Sequence, residues 1–176
     1  MNWLKMCGIS AIIDFQNKYN TKDILSLLNS INHRGPDKSD YKKIDNIYLG
    51  MTRLSIIDLK LGSQPMTSNC GNYTIIFNGE IYNYNEIRNK LINSGLIFKS
   101  NSDTEVILNG YIQFKEKLLS YLDGMFSFII YDNKKKEIFA ARDRLGKKPL
   151  YIYNDLDSII LSSEVQSINK LLKNKL

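Results

Sequence analysis

Cys7 stands in the run Met6-Cys7-Gly8-Ile9, where a polar start gives way to apolar residues. A thiol ionises near pH 8.5, so only about a few per cent is thiolate at neutral pH. A nucleophilic cysteine therefore needs a base that titrates close to pH 7. Two groups here qualify unperturbed: His33, the one histidine of the chain, and an α-amino group at about 7.7–8.0. The first would make a Cys–His pair. The second requires Cys7 to be the first residue, because a peptide nitrogen has its lone pair delocalised into the carbonyl. Met6 offers a route: initiation there, followed by removal of one methionine, exposes the Cys7 amine. The plainer reading of Cys7 is a small apolar side chain buried on a strand over 8–14. The residues alone leave these three open.

Other residue types could complete such a site. Asn78-Gly79 in FNGEIYN follows a strand-like run. The pair is a common hairpin turn, yet an Asn side-chain N–H and a Gly backbone N–H can also converge on an oxyanion. Arg53 ends one apolar segment and Arg142-Asp143-Arg144 ends another. Each reads as a surface arginine or as a fork for a substrate carboxylate. Asp103 in NSDTEV reads as a helix N-cap or as a carboxylate for an α-ammonium group. Cys70 lies in a polar loop and reads as an incidental thiol.

These residues need elements to hold them. GISAIID over 8–14 predicts a buried strand. Ile24, Leu27, Leu28 and Ile31 recur at helical spacing, so 22–32 is a helix with Thr21 placed to cap it and Gly35-Pro36 to stop it. Strands are predicted near 46–53 and 73–78. A helix over 84–94 turns Ile87 and Leu91 inward and stops at Gly95. Another starts near Asp103 and carries Val106, Ile107, Tyr111 and Phe114. Beyond Gly124 four short strands read as a meander, and 164–173 as a last helix. The order is α+β rather than regular βαβ alternation.

Composition bounds the function. The 176 residues are 43% apolar, enough for one domain with a real core. The net charge of +6 comes from 24 Lys+Arg against 18 Asp+Glu. Its densest runs, Lys134–Lys136 and Lys147-Lys148, read as solvated turns rather than a nucleic-acid face. Two cysteines give no disulfide framework, and one histidine without CxxC spacing argues against zinc. No apolar run reaches membrane-spanning length. The expected setting is cytoplasmic, with no nucleic-acid or membrane partner.

Nine segments stand in one order: MCGI, HRGPD, RLSIIDL, GSQPM, FNGEIYN, SDTEV, GMFSFIIYD, ARDRLGKKPLY and SSEVQSI. In them the chain resembles the glutaminase domain of glutamine-hydrolysing asparagine synthetases, class II glutamine amidotransferases of the N-terminal nucleophile superfamily. The resemblance covers Met6 to about Ile168. It implies a four-layer αββα sandwich of two mainly antiparallel sheets between helical layers. It implies hydrolysis of glutamine to glutamate and ammonia, with Cys7 the nucleophile and its freed amine the base. Asn78 and Gly79 match the oxyanion hole, and Arg53 the grip on the α-carboxylate. Asp103 and the Glu80 backbone match the group that reads the α-amino end. Leu54 and Ile57 match the pocket lining. His33 falls in a motif not assigned the base role. Residues 1–5 stand before the expected start, as a leader or a mis-assigned start, and 6–176 form the amidotransferase domain. No cofactor is implied for this half; ATP and Mg²⁺ belong to a synthetase domain, absent here, which is the expected partner as a domain or a separate chain. A homo-oligomer is compatible with the pattern. The RDRLGKKP turn and the last helix are the expected docking elements.

Overall fold

The computed structural model describes residues 6–54 and 63–175. Strand β1 (Gly8–Asp14) is buried along its whole length, and α1 (Thr21–Ser30) follows it. The helix cap is Asn20 rather than Thr21: its side chain accepts from Lys22 N, and Asp23 returns a bond to the Asn20 N–H. That reciprocal pair satisfies backbone donors the first turn leaves open. An unforeseen strand, β2 (Lys38–Ile44), pairs with β3 (Ile47–Arg53). Its sequence KSDYKKI lacks apolar alternation because it is the exposed edge of its sheet, where charge discourages pairing with another chain.

The second sheet is built on β5 (Tyr73–Ile81), flanked by the short β4 (Met66–Thr67) and by β6 (Gly124–Asp132), with β7 (Glu137–Arg142) beyond. Helices α2 (Tyr84–Asn93) and α3 (Asp103–Phe114) pack on its outer face. The four late strands are not one meander. After β7 the chain crosses between sheets, and β8 (Tyr151–Asn154) and β9 (Ser158–Ser162) join the first sheet, giving the order β2-β3-β1-β9-β8. The last helix, α4 (Val165–Lys173), lies beside α1.

Period-two alternation sorts the strand residues into three apolar layers. Ile12, Tyr48 and Ile160 meet Ile24, Leu27, Leu28 and Ile168 under α1 and α4. Ile9, Ala11, Leu49, Met51, Ile76 and Ile129 fill the space between the sheets. Ile75, Phe77, Phe126 and Phe128 pack against Val106, Leu91 and Leu118 of the other helical layer. Helices, sheet, sheet, helices: this is the αββα arrangement, with the nine described strands paired antiparallel.

Candidate active site

Cys7 directly precedes β1 and packs against the apolar layer between the sheets. Gly8 pairs with Thr52, so extending the register by one residue sets Cys7 beside Arg53 at the end of β3. The thiol touches the next residue on that strand: Leu54 N–H donates to Cys7 Sγ at 3.5 Å, and Sγ lies 3.8 Å from Leu54 O. Burial pushes the Cys7 thiol up, while the contact with the Leu54 backbone and the charges of Arg53 and Lys148 pull it back. Cys7 is thus half-buried at the rim of the inter-sheet layer, in a positive field, rather than a filler of its centre.

The motif HRGPD holds this corner together. Arg34, 8% exposed, donates from Nε to the Cys7 carbonyl at 3.2 Å and from Nη1 to Glu164 Oε1 at 3.2 Å. His33 Nε2 meets the same Glu164 oxygen at 2.9 Å, on the surface, and not Cys7. The Cys–His pairing therefore fails on geometry. Gly35 lies against the Thr52–Arg53 backbone, where an added Cβ would stand 2.6 Å from both carbonyl carbons. Pro36 bridges to Arg53, and Asp37 N–H donates to Arg53 O at 3.1 Å.

The opposite sheet faces this corner across the gap. Asn78 and Gly79 are strand residues of β5, not a hairpin turn, paired with Ser127 and Phe126 of β6. Ile76 points into the inter-sheet layer and Phe77 into the helical layer, so Asn78 points the same way as Ile76. Asn78 is 1% exposed, and its Nδ2 has no hydrogen-bond partner among the described residues. A buried amide N–H normally finds one, at a cost of about 1–3 kcal/mol when it does not. At Gly79 an added Cβ would fall onto the Met125 carbonyl oxygen, so only glycine lets β5 and β6 close there.

Asp103 is not the cap of α3. Ser102 takes that role by accepting from Glu105 N–H. Asp103 is the first helical residue, and its Oδ2 accepts from Ile81 N–H of β5 at 3.2 Å, which ties the helix start to the strand carrying Asn78 and Glu80. Burial raises its carboxyl above the usual range, the Ile81 N–H lowers it, and nearby Glu80 adds to the rise. The Glu80 side chain is exposed. Ile57 lies outside the described residues.

Several contributors escaped the sequence reading. Gln64 spans β5 and α3, accepting from Phe77 N–H and donating to Thr104 Oγ1. The buried Glu105 carboxylate collects Lys99 N–H, Ser100 N–H and the Ser100 hydroxyl, fixing the approach to α3. Lys147-Lys148 is only half a solvated turn: Lys147 is exposed, but Lys148 is 5% exposed, with Nζ 2.7 Å from Met6 Sδ. Cys70 is less incidental than expected, since the Ser68 hydroxyl beside it holds its thiol below the usual range.

Residues 6–176 match the family model described as a glutamine amidotransferase domain. Over 167 residues, 93% of this chain, it is 37% identical to glutamine-hydrolysing asparagine synthetase 3 and 40% identical to asparagine synthetase 1, both of Bacillus subtilis. It is 38% identical over the same length to asparagine synthetase 2 of Arabidopsis thaliana. It covers 27%, 26% and 28% of those relatives, so it spans about a quarter of their length. Among solved structures, the glutamine phosphoribosylpyrophosphate amidotransferase of B. subtilis superposes with a TM-score of 0.74 at 21% identity, over 94% of this chain and 43% of that one. That likeness carries the fold. With the family match over the whole described chain, the chain belongs to the glutamine amidotransferase domain family.

Proposed function

We propose that this domain hydrolyses glutamine to glutamate and ammonia through a γ-glutamyl thioester on Cys7, and supplies the ammonia to amide transfer of the asparagine-synthetase type. The observation that carries the reading is the buried Nδ2 of Asn78, without a partner among the described residues, on the face opposite Cys7. An orphan donor facing the layer that holds a thiol is what a developing oxyanion requires. The Cys7 amine, freed by cleavage after Met6, takes the thiol proton, and the sulfur attacks the side-chain amide carbon. Asn78 Nδ2 and the Gly79 N–H hold the oxyanion. The amine passes its proton to the departing nitrogen, the C–N bond breaks and ammonia leaves. Water then attacks the thioester, its proton goes to the amine, and the C–S bond breaks to give glutamate and the thiol. Arg53 grips the substrate α-carboxylate, Asp103 and the Glu80 backbone its α-ammonium, and Leu54 and Ile57 line the pocket.

This half uses no cofactor in the reading; ATP and Mg²⁺ act in a synthetase domain or chain, which is the partner. The setting is cytoplasmic, and no helix among the described residues is long and apolar enough to cross a membrane. Intact mass and N-terminal sequencing of protein from its own cell test the processing. A retained Met6 in all of it would refute the amine as base. A glutamine analogue with an electrophilic carbon should label the processed protein and leave Cys7→Ala unlabelled; equal labelling sinks the nucleophile. Asn78→Ala should lower kcat by about 10²–10³ with KM little changed.

A further inference from the structure

Lys148 is a buried cation that the mechanism above does not use. It sits in the crossing between β7 and β8, and that crossing is rigid because Asp143 anchors it. Asp143 Oδ1 accepts from Leu145 N–H at 3.1 Å and Lys147 N–H at 2.9 Å. Its Oδ2 accepts from Lys148 N–H at 3.0 Å and, across the sheet, Phe126 N–H at 3.2 Å. The turn so held points the Lys148 ammonium inward, onto the side chain of the residue immediately before Cys7.

The charges around that point are lopsided. Arg34, on the connection after α1, donates to the Cys7 carbonyl. Arg53, at the end of β3, and Lys148 both act on the Cys7 thiol. The described carboxylates that face Lys148 are Glu80 of β5, which is exposed, and Asp143, whose two oxygens already hold four backbone N–H groups. Glu164, before α4, is turned to Arg34 and His33. A further positive charge on residue 7 would therefore form beside the buried Lys148 ammonium and the Arg34 guanidinium that donates to the Cys7 carbonyl.

We propose that Lys148 is a positioning residue for proton transfer: its buried ammonium keeps the freed Cys7 amine unprotonated at neutral pH, ready to take the thiol proton. The proposal rests on the glutaminase reading, because only that reading asks the amine to be a base. Burial and the Arg34 charge both lower Lys148 itself, which marks how tight the positive cluster already is. The sign is fixed by electrostatics: a like charge nearby disfavours the protonated amine, and its removal restores it.

The test uses the chain beginning at Cys7, with Cys70→Ser and ¹³C-labelled cysteine, so that a single cysteine reports. The carbonyl carbon of residue 7 is followed by NMR through the pH range. In the wild type the amine should titrate below the ordinary value of about 7.7–8.0. In Lys148→Gln it should rise by about one pH unit, and in Lys148→Arg it should stay low. The acid limb of kcat/KM for glutamine should move by the same amount, leaving Lys148→Gln about ten-fold slower than wild type on the acid side and equal to it at alkaline pH. A wild-type amine at its ordinary value overturns the proposal, whether or not the variant folds. So does an unchanged amine in Lys148→Gln, or a loss of rate in Lys148→Gln and Lys148→Arg alike at every pH. Because the NMR titration needs no turnover, a depressed amine in a protein that does not hydrolyse glutamine would refute the glutaminase reading, and with it the proton-transfer role, while the effect of Lys148 on the amine would stand.

Discussion

On the proposed function, Asp103 serves binding at the expense of the fold. Its carboxyl is raised in the folded chain, first by burial. A raised group contributes its full stability below the unfolded value, about 3.9, and loses it as pH climbs through the folded value. Once ionised, Asp103 is a carboxylate the folded protein would sooner protonate, and on the proposed function a substrate ammonium relieves it. Asp103→Asn should accordingly raise the melting temperature at pH 7, with the gain vanishing toward pH 3, while KM for glutamine climbs steeply. A melting temperature lowered equally at pH 7 and pH 4 would contradict this. The type of residue 103 and its place at a helix start were legible in the sequence. Its release from the capping role was not, because Ser102 and Asp103 are both good caps and only the folded geometry chooses Ser102. The same limit hid Lys148. Nothing in the local pattern separates it from Lys147; the folded turn does, by burying Lys148 and leaving Lys147 exposed.

At the scale of elements, the apolar periods were legible wherever a face is buried. Strand β1, helix α1 and the helices on the second sheet fall within a residue or two of expectation, since burial and periodicity are there the same fact. Edge strand β2 was invisible for the converse reason. The assignment of β8 and β9 to the first sheet was also out of reach, because a short polar connection looks the same whether the chain turns back or crosses over. HRGPD turns out to be a clamp on the end of β3. Gly35→Ala would drive a methyl group into the Thr52–Arg53 backbone. It should cost about 1–3 kcal/mol in a urea melt, and should raise KM for glutamine more than it lowers kcat, since Arg53 is displaced and Asn78 is not. An unaltered KM would mean that the clamp does not position Arg53.

At the scale of the whole molecule, the 142–148 segment separates two jobs. Asp143 and Lys148 face inward, whereas Arg142, Arg144, Leu145 and Lys147 are exposed, Leu145 at 81%. Neighbouring β8 leaves Ile152 66% exposed and Tyr151 44% exposed. A synthetase partner that docks on this surface would meet both apolar area and positive charge. Reversing the charge of Arg142, Arg144 and Lys147 together, in the protein joined to or mixed with its synthetase, should leave glutamine hydrolysis near wild type and abolish amide transfer from glutamine. Transfer from free ammonium should persist, as the comparison that isolates delivery. Unchanged coupling would place the contact elsewhere.

The placement of β1 has a consequence in time. The strand that follows Cys7 lies between β3 and β9, and Ser10 pairs with Ser162. During synthesis this strand has its first neighbour early, but the second is some 150 residues behind. At about 5–20 residues per second, that interval is on the order of 10 s. Only after it can the first sheet close and the β7–β8 crossing settle Lys148 over Met6. On the proposed function, the ribosome thus gives a processing enzyme a window in which residue 6 is not yet held against Lys148, and the finished fold makes that contact.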